Sequence, residues 1–325
     1  MFWTGELIAR TAPVRRRVAP APWDSPLLGK ATAAYLGLAI GDALGATVEF
    51  LTPNEIRHQH GEHRDITGGG WLRLKAGQVT DDTTMSLALG ESILTARGVD
   101  AQAAAEAFDA WMRAKPVDIG NTVRRNLIQF RKNGNPEAAA SEHDAGNGAA
   151  MRVLPVAIAC HGQSSEAVRA ASRAQAHVTH HNVHSDAACE TLILMVQDLM
   201  SGRESLEVRH TWADALVSQH PVFAFDKKRR DNPSGYVVET LQAVLQAFFD
   251  TSSFEDCLID VVNRGGDADT TGAIAGMLAG ACYGLDAIPK RWLRALDPEI
   301  RLACEQQAAS LLKLAQDKTT PGEAR

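Results

Sequence analysis

The chain has 325 residues, of which 45% are hydrophobic and 22% charged, a globular mix that excludes disorder of the whole. Aromatics are only 6% while Ala and Gly are frequent, so densely packed helices are expected rather than a β-sandwich. The net charge is −6, and residues 1–30 hold five cationic side chains against two acidic ones. The remaining body is therefore strongly acidic, which suits bound cations and excludes a general nucleic-acid binder.

Residues 1–26 contain four prolines and the triplet Arg15-Arg16-Arg17, with no helical or strand period. They are read as an extended arm, and residues 27–325 as one all-α domain. The first helix is expected from about Lys30 to Gly45. Its Ala33, Gly37, Gly41 and Gly45 are four apart and share one face. Gly272, Gly276, Gly280 and Gly284 repeat the device, so two glycine-faced helices should cross in the core. A helix follows Thr80–Thr84, with Met85, Ala88, Leu89, Ser92, Ile93 and Ala96 on one face and Gly98 closing it. Further helices are expected near 101–114, 120–132, 147–160, 165–176, 184–200, 205–219, 236–249, 254–263 and 299–316. Asn133-Gly134 is a stop, Pro155 should kink its helix, and Ser252 with Glu255 forms a capping box.

The five cysteines are widely spaced with no CxxC, which points to a reducing, cytoplasmic compartment. The N-terminus has no apolar stretch of the signal-peptide kind. The longest uncharged run, Thr270–Leu285, is shorter than a bilayer span of about 20 residues, so no membrane association is expected.

Two segments carry chemistry: Thr80-Asp81-Asp82-Thr83-Thr84 and Gly266-Asp267-Ala268-Asp269-Thr270-Thr271-Gly272. Each sets paired carboxylates and hydroxyls at the start of an apolar helix. Asp and Thr are good N-caps, but capping explains one acid per helix rather than two in a row, twice. Adjacent carboxylates repel, and protons or metal ions hold them together. Oxygen-only donors favour hard cations such as Mg²⁺ or Mn²⁺, and two converging clusters would make a binuclear centre.

Gly41-Asp42-Ala43-Leu44-Gly45 with Glu49, then Thr80-Asp81-Asp82-Thr83, then Gly146-Asn147-Gly148 with Met151-Arg152, then the Gly266–Gly272 segment follow one another in this order. In this the chain resembles the ADP-ribosylglycohydrolase family over about residues 30–285. The resemblance implies a compact all-α bundle with a cleft for two divalent cations, Mg²⁺ or Mn²⁺, held by Thr80, Asp81, Asp82, Asp267, Asp269 and Thr270. It places Glu49, Asp81 and Asp82 in catalysis, with Glu49 positioning water or ribose. Asp118 and Gly120 would approach the ribose, Asn147 and Gly148 the diphosphate, and Tyr236 would stack on adenine. His177/His181 and His180/His184 have the i, i+4 spacing of zinc ligands on a helix. The family has a Thr-His here that contacts the ligand, so the resemblance assigns His180 to ADP-ribose instead.

The implied activity is hydrolysis of ADP-ribose from modified protein side chains. Arginine is favoured because the GDALG and TDDT segments resemble the bacterial arginine-directed members. Serine-linked, poly- and O-acetyl-ADP-ribose are the alternative substrates. An isoprenoid synthase is excluded because its DDxxD spacing would need an acid at Met85, and a P-loop is absent. A non-enzymatic binder or inhibitor of an ADP-ribosyltransferase stands beside the enzyme. Its agent would be the arm, in which Phe2, Trp3 and Trp23 accompany the arginines. Immunity against such a toxin is the implied role, by erasing its product as well as by binding it.

Overall fold

The computed structural model describes residues 25–319. In chain order the helices are α1 (Pro26–Gly45), α2 (Pro53–His60), α3 (Asp81–Ala96), α4 (Ala101–Arg113), α5 (Asn121–Asn133), α6 (Leu154–Ala159), α7 (Ser165–Ala176), α8 (Val183–Met200), α9 (Ser205–Val208), α10 (Asp214–Gln219), α11 (Val237–Asp250), α12 (Phe254–Val262), α13 (Ala268–Tyr283), α14 (Lys290–Ala295) and α15 (Pro298–Thr319). The fold is all-α. Among the described residues the only β pairing is two isolated bridges, Gly69 with Leu74 and Gly146 with Tyr236.

The core is organised around α1 and α13, and the two glycine stripes explain how. Ala33 lies against Gly280, Gly37 against Gly276, Gly41 against Gly272 and Gly45 against Ala268, so the helices run antiparallel with their backbones in contact. A Cβ on Gly37, Gly41, Gly272 or Gly276 would overlap a carbonyl oxygen of the facing helix. Each helical glycine costs about 1 kcal/mol relative to alanine, offset here by dispersion contacts along the whole crossing. Gly284 is not part of the stripe. It ends α13 at φ 78° with open space around it, because the helix has left the crossing by then. By length and composition α1 could span a membrane, yet it is the central buried helix of this core.

Several local expectations are corrected. Pro26 is the first residue of α1 rather than the end of the arm. A proline at N1 lacks only a donor that would be unpaired anyway. Pro155 likewise sits in the first turn of α6 and kinks nothing, and only a 3₁₀ turn, Asn147–Ala149, precedes it. The cap of α12 is Ser253, whose hydroxyl accepts from Asp256 N–H at 3.0 Å, one residue later than expected. A π-helical turn, Arg209–Ala213, joins α9 to α10. Helices α2 and α14 are additional, and α2 is opened by a complete Thr52–Glu55 capping box. The rest of the arm, residues 1–24 with Phe2, Trp3, Trp23 and the arginine triplet, lies outside the described residues.

The crossing makes a testable distinction between two glycines. Gly276→Ala forces a methyl into the Gly37 carbonyl and should cost at least about 2 kcal/mol in chemical denaturation. Gly29→Ala, also within α1 but with nothing within 4 Å, should instead be neutral or stabilise by up to about 1 kcal/mol. Equal effects of the two would show that the backbones do not touch as described.

Candidate active site

The C-terminal end of α1 lies beside the N-terminal ends of α3 and α13, and Asp42 joins the first two. Its carboxylate is fully buried. It accepts from Thr80 N–H at 3.0 Å, Thr83 N–H at 3.1 Å, and the hydroxyls of Thr80 at 3.0 Å and Thr83 at 2.5 Å. Asp42 is thus the N-cap of α3, supplied by another helix. Burial pushes its pKa up to about 6 against the opposing pull of those four bonds. Neither Thr80 nor Asp267 caps its own helix with its side chain, so capping does not account for the acids that follow them.

Those acids converge. Thr80 Oγ1 lies 3.2 Å from Asp82 Oδ2 and 3.5 Å from Asp269 Oδ2, and Thr270 Oγ1 donates to Asp82 Oδ2 at 3.4 Å. Glu49, on the turn after α1, brings a carboxylate oxygen within 4.8 Å of those of Asp267 and Asp269. Two backbone bonds fix that approach. Phe50 N–H donates to Gly266 O at 2.7 Å, and Gly266 N–H to Leu51 O at 2.9 Å.

The electrostatics are those of an uncompensated anionic pocket. Burial, then the charges of Asp118, Asp42 and Asp267, raises Asp81 to about 7. Burial raises Glu49 to about 8, opposed by the Trp71 hydrogen bond and reinforced by Asp267, Asp118 and Asp81. Asp82 and Asp269 are pushed well above the carboxylate range, first by burial and then by their acidic neighbours. Asp267 is raised by burial, with Asn147 opposing. None of these carboxylates forms an ion pair among the described residues, and Asp82 Oδ1 is buried with no hydrogen-bond partner. A buried orphan oxygen in an all-oxygen acidic set fits hard divalent cations.

The residues expected on the substrate side lie around this pocket. Asp118 is half-buried, accepts from Ile119 N–H at 2.7 Å, and its charge is felt by Glu49, Asp81 and Asp267. Gly120 is the exposed N-cap of α5. The Asn147 amide donates to Asp267 Oδ2 at 2.6 Å and Thr240 Oγ1 at 3.0 Å, and its N–H to Gly235 O at 3.0 Å. Gly148 lies under the His180 ring, which a Cβ at that position would strike. His180 is buried, and burial with Arg152 and Arg125 lowers its pKa to about 3. Tyr236 opens α11, half-buried, with its hydroxyl 3.4 Å from His184 Nδ1.

The histidine-rich segment is a turn at residues 177–182 rather than a helix. His177 and His181 nevertheless stack at 3.8 Å, with Glu137 beside both, and His177 Nε2 faces Asp186 Oδ1 at 2.9 Å. His180 and His184 have separate partners.

Four contributors had no role assigned from sequence. Asp42 and Arg152 stand inside recognised motifs, but their partners are remote in sequence. Buried Arg152 donates to Gln175 O at 2.9 Å and to Thr179 Oγ1 at 2.8 Å, with its guanidinium 4.3 Å from the Phe108 ring centroid. The Thr179 hydroxyl is 2.8 Å from His180 Nδ1. Arg152 thereby braces the histidine under the Gly148 turn. Thr83 completes the Asp42 cap, and Trp71 donates to Glu49 Oε2 at 2.6 Å.

The structure is thus an all-α fold that gathers paired aspartates from two helix starts into one acidic pocket. The ADP-ribosylglycohydrolase family profile matches residues 24–321, and the chain belongs to that family. It is 51% identical over 286 residues to ADP-ribosyl-dinitrogen reductase glycohydrolase of Rhodospirillum rubrum, covering 88% of this chain and 96% of that one. It is 36% identical over 293 residues to ADP-ribosylarginine hydrolase Tri1 of Serratia proteamaculans, covering 86% and 78%. A solved structure described as an ADP-ribosylglycohydrolase-related protein complex superposes with a TM-score of 0.79 at 36% identity, covering 89% and 99%. The protein is an ADP-ribosyl glycohydrolase acting on protein-linked ADP-ribose.

The carboxyl shifts predict a pH dependence in the chelated protein. A carboxyl whose pKa is higher folded than unfolded adds stability that is fully present below its unfolded value, about 4. That stability is lost as pH rises through the folded value. For Asp42, Asp81 and Glu49 the window runs from about 4 to about 8. Protein in EDTA should be less stable at pH 8 than at pH 5 by at least about 1.4 kcal/mol, the worth of one pKa unit on one group. Mn²⁺ should remove the difference. A metal-free melting temperature that rises over this range, or does not respond to Mn²⁺, would contradict the pocket's charge balance.

Proposed function

We propose that this enzyme removes ADP-ribose from arginine side chains with the help of two divalent cations. The observation that carries the reading is the convergence of Asp81 and Asp82 with Asp267, Asp269 and Glu49 in one largely buried pocket, where none of them forms an ion pair among the described residues. Thr80, Asp81, Asp82, Asp267, Asp269 and Thr270 would hold the ions, and their oxygen-only chemistry favours Mg²⁺ or Mn²⁺. When bound, such ions supply positive charge at the ribose hydroxyls and lower the pKa of water.

The chain's own residues do the rest. The C–N bond between ribose and guanidine breaks, water adds its oxygen to the anomeric carbon, and a proton ends on the departing guanidine nitrogen. Glu49, held by Trp71 at the edge of the pocket, orients that water and relays the proton. Asp118 and Gly120 border the ribose, the Gly148 turn the diphosphate, and Tyr236 the adenine. Asn147 is committed to Asp267 and Thr240, so its part is to fix a cation ligand. Arg152 donates to the Thr179 hydroxyl, which lies 2.8 Å from His180 Nδ1, and burial beside Arg152 and Arg125 keeps the imidazole neutral. His180 thus shapes the diphosphate turn without contributing charge.

The arginine acceptor is supported by the likeness to an ADP-ribosylarginine hydrolase. A cytoplasmic setting is supported by five free cysteines. Immunity against a transferase toxin would act in two ways, by hydrolysis of the toxin's product and by binding of the toxin through the arm. One experiment addresses these readings together, using defined arginine- and serine-linked ADP-ribosyl proteins, with Mn²⁺, Mg²⁺ or EDTA. Release from arginine should need the cation and fall at least about 100-fold in Asp81→Ala or Asp269→Ala, the scale of losing an electrostatic stabiliser. Release from serine alone would overturn the acceptor, and near-normal turnover of either variant would overturn the ligand set. A chain lacking residues 1–24 should hydrolyse normally and lose transferase affinity. Unchanged affinity would show that the arm is only a tail.

A further inference from the structure

At the rim of the pocket stand two aromatic side chains that the reaction as described leaves largely unused. Phe50 is 63% exposed and Trp71 52%, and their ring centroids are 5.4 Å apart. Large aromatic side chains exposed side by side are costly to leave in water.

Both are delivered by backbone of an unusual kind. Gly68, Gly69 and Gly70 all have positive φ, at 69°, 86° and 66°. Gly69 and Leu74 exchange backbone hydrogen bonds at 2.8 and 2.9 Å, closing a tight loop with Trp71 near its tip. Gly70 is so close to the end of α1 that a Cβ there would overlap Ala46 O. The loop thus packs against the end of α1, and the Trp71 indole reaches Glu49 Oε2. Phe50 itself has φ 62°, a left-handed conformation that a bulky residue adopts only under constraint. Its N–H bond to Gly266 O supplies that constraint. The result is an aromatic wall running from Glu49 to solvent, beside an anionic pocket that includes Asp81 and Asp118.

The rings favour a flat, apolar-faced group, and the carboxylates favour a cation. A guanidinium is both: planar, delocalised, weakly hydrated, and prone to stack on aromatic faces. A serine-linked acceptor offers neither property. We propose that Phe50 and Trp71 form the acceptor subsite, gripping the guanidinium of the ADP-ribosylated arginine on the leaving-group side of the scissile bond. Phe50 binds the leaving side chain. Trp71 does so too, and also acts as a positioning residue for Glu49. The subsite rests on the arginine reading above.

Two substitutions separate these duties. Phe50→Ala removes part of the wall and leaves the Glu49 hydrogen bond. Trp71→Phe keeps a ring and removes the indole N–H. Steady-state kinetics on arginine-linked and serine-linked ADP-ribosyl proteins are compared with the affinity for free ADP-ribose. Phe50→Ala should raise KM for the arginine-linked protein by about fivefold, with kcat little changed and ADP-ribose affinity unaltered. Phe50→Tyr should restore KM. Trp71→Phe should instead lower kcat and move the pH profile, with a smaller effect on KM. An unchanged KM in Phe50→Ala, a failure of Phe50→Tyr to rescue, or an equal loss of free ADP-ribose binding would each overturn the subsite. Wild type inactive on arginine-linked protein would sink the acceptor reading and the subsite together. Wild type active on it, with Phe50→Ala unaffected, would sink the subsite alone.

Discussion

The active site depends on how closely α1 and α13 approach. Glycines at 37, 41, 272 and 276 let the two backbones touch, and the distance between Asp42 on one helix and Asp269 on the other follows from that contact. A side chain at the crossing would spread the helices and open the pocket, because packed cores do not absorb a methyl group without movement. The stripe that organises the core is therefore also what brings the acidic residues to hydrogen-bonding distance.

Closeness creates an electrostatic problem, and the function follows from its solution. Asp81, Asp82, Asp269 and Glu49 are buried beside a half-buried Asp267, and each is pushed toward its neutral form. Protons relieve the repulsion at low pH and divalent cations relieve it at neutral pH. The fold thus gathers carboxylates whose mutual repulsion bound cations would relieve. The charge of such cations would also favour an oxocarbenium-like ribose as its bond to the side chain breaks. Asp42, fully occupied by Thr80 and Thr83, keeps α3 in register so that its first two residues face the pocket.

What the sequence disclosed follows from the range of each interaction. The glycine stripes were legible because a helical period puts residues four apart on one face, and the doubled acids because two in a row exceed what capping needs. Gly284 misled because periodicity does not show where a crossing ends. Pro155 misled because proline breaks a helix interior but suits a first turn. Helices α2 and α14 were too short to show a period. Asp42 as the cap of α3, and Trp71 as the partner of Glu49, were not legible. Each bond joins positions whose proximity exists only after folding.

Anomalous diffraction at the manganese edge, from crystals grown with Mn²⁺, tests most directly whether this pocket is a binuclear cation site built from two helix starts. Two peaks are expected, bounded by Asp81 and Asp82 on one side and Asp267 and Asp269 on the other. Asp82→Asn should weaken or remove at least one of them. The absence of any peak at these four aspartates, with Mn²⁺ bound elsewhere on the protein, would contradict it.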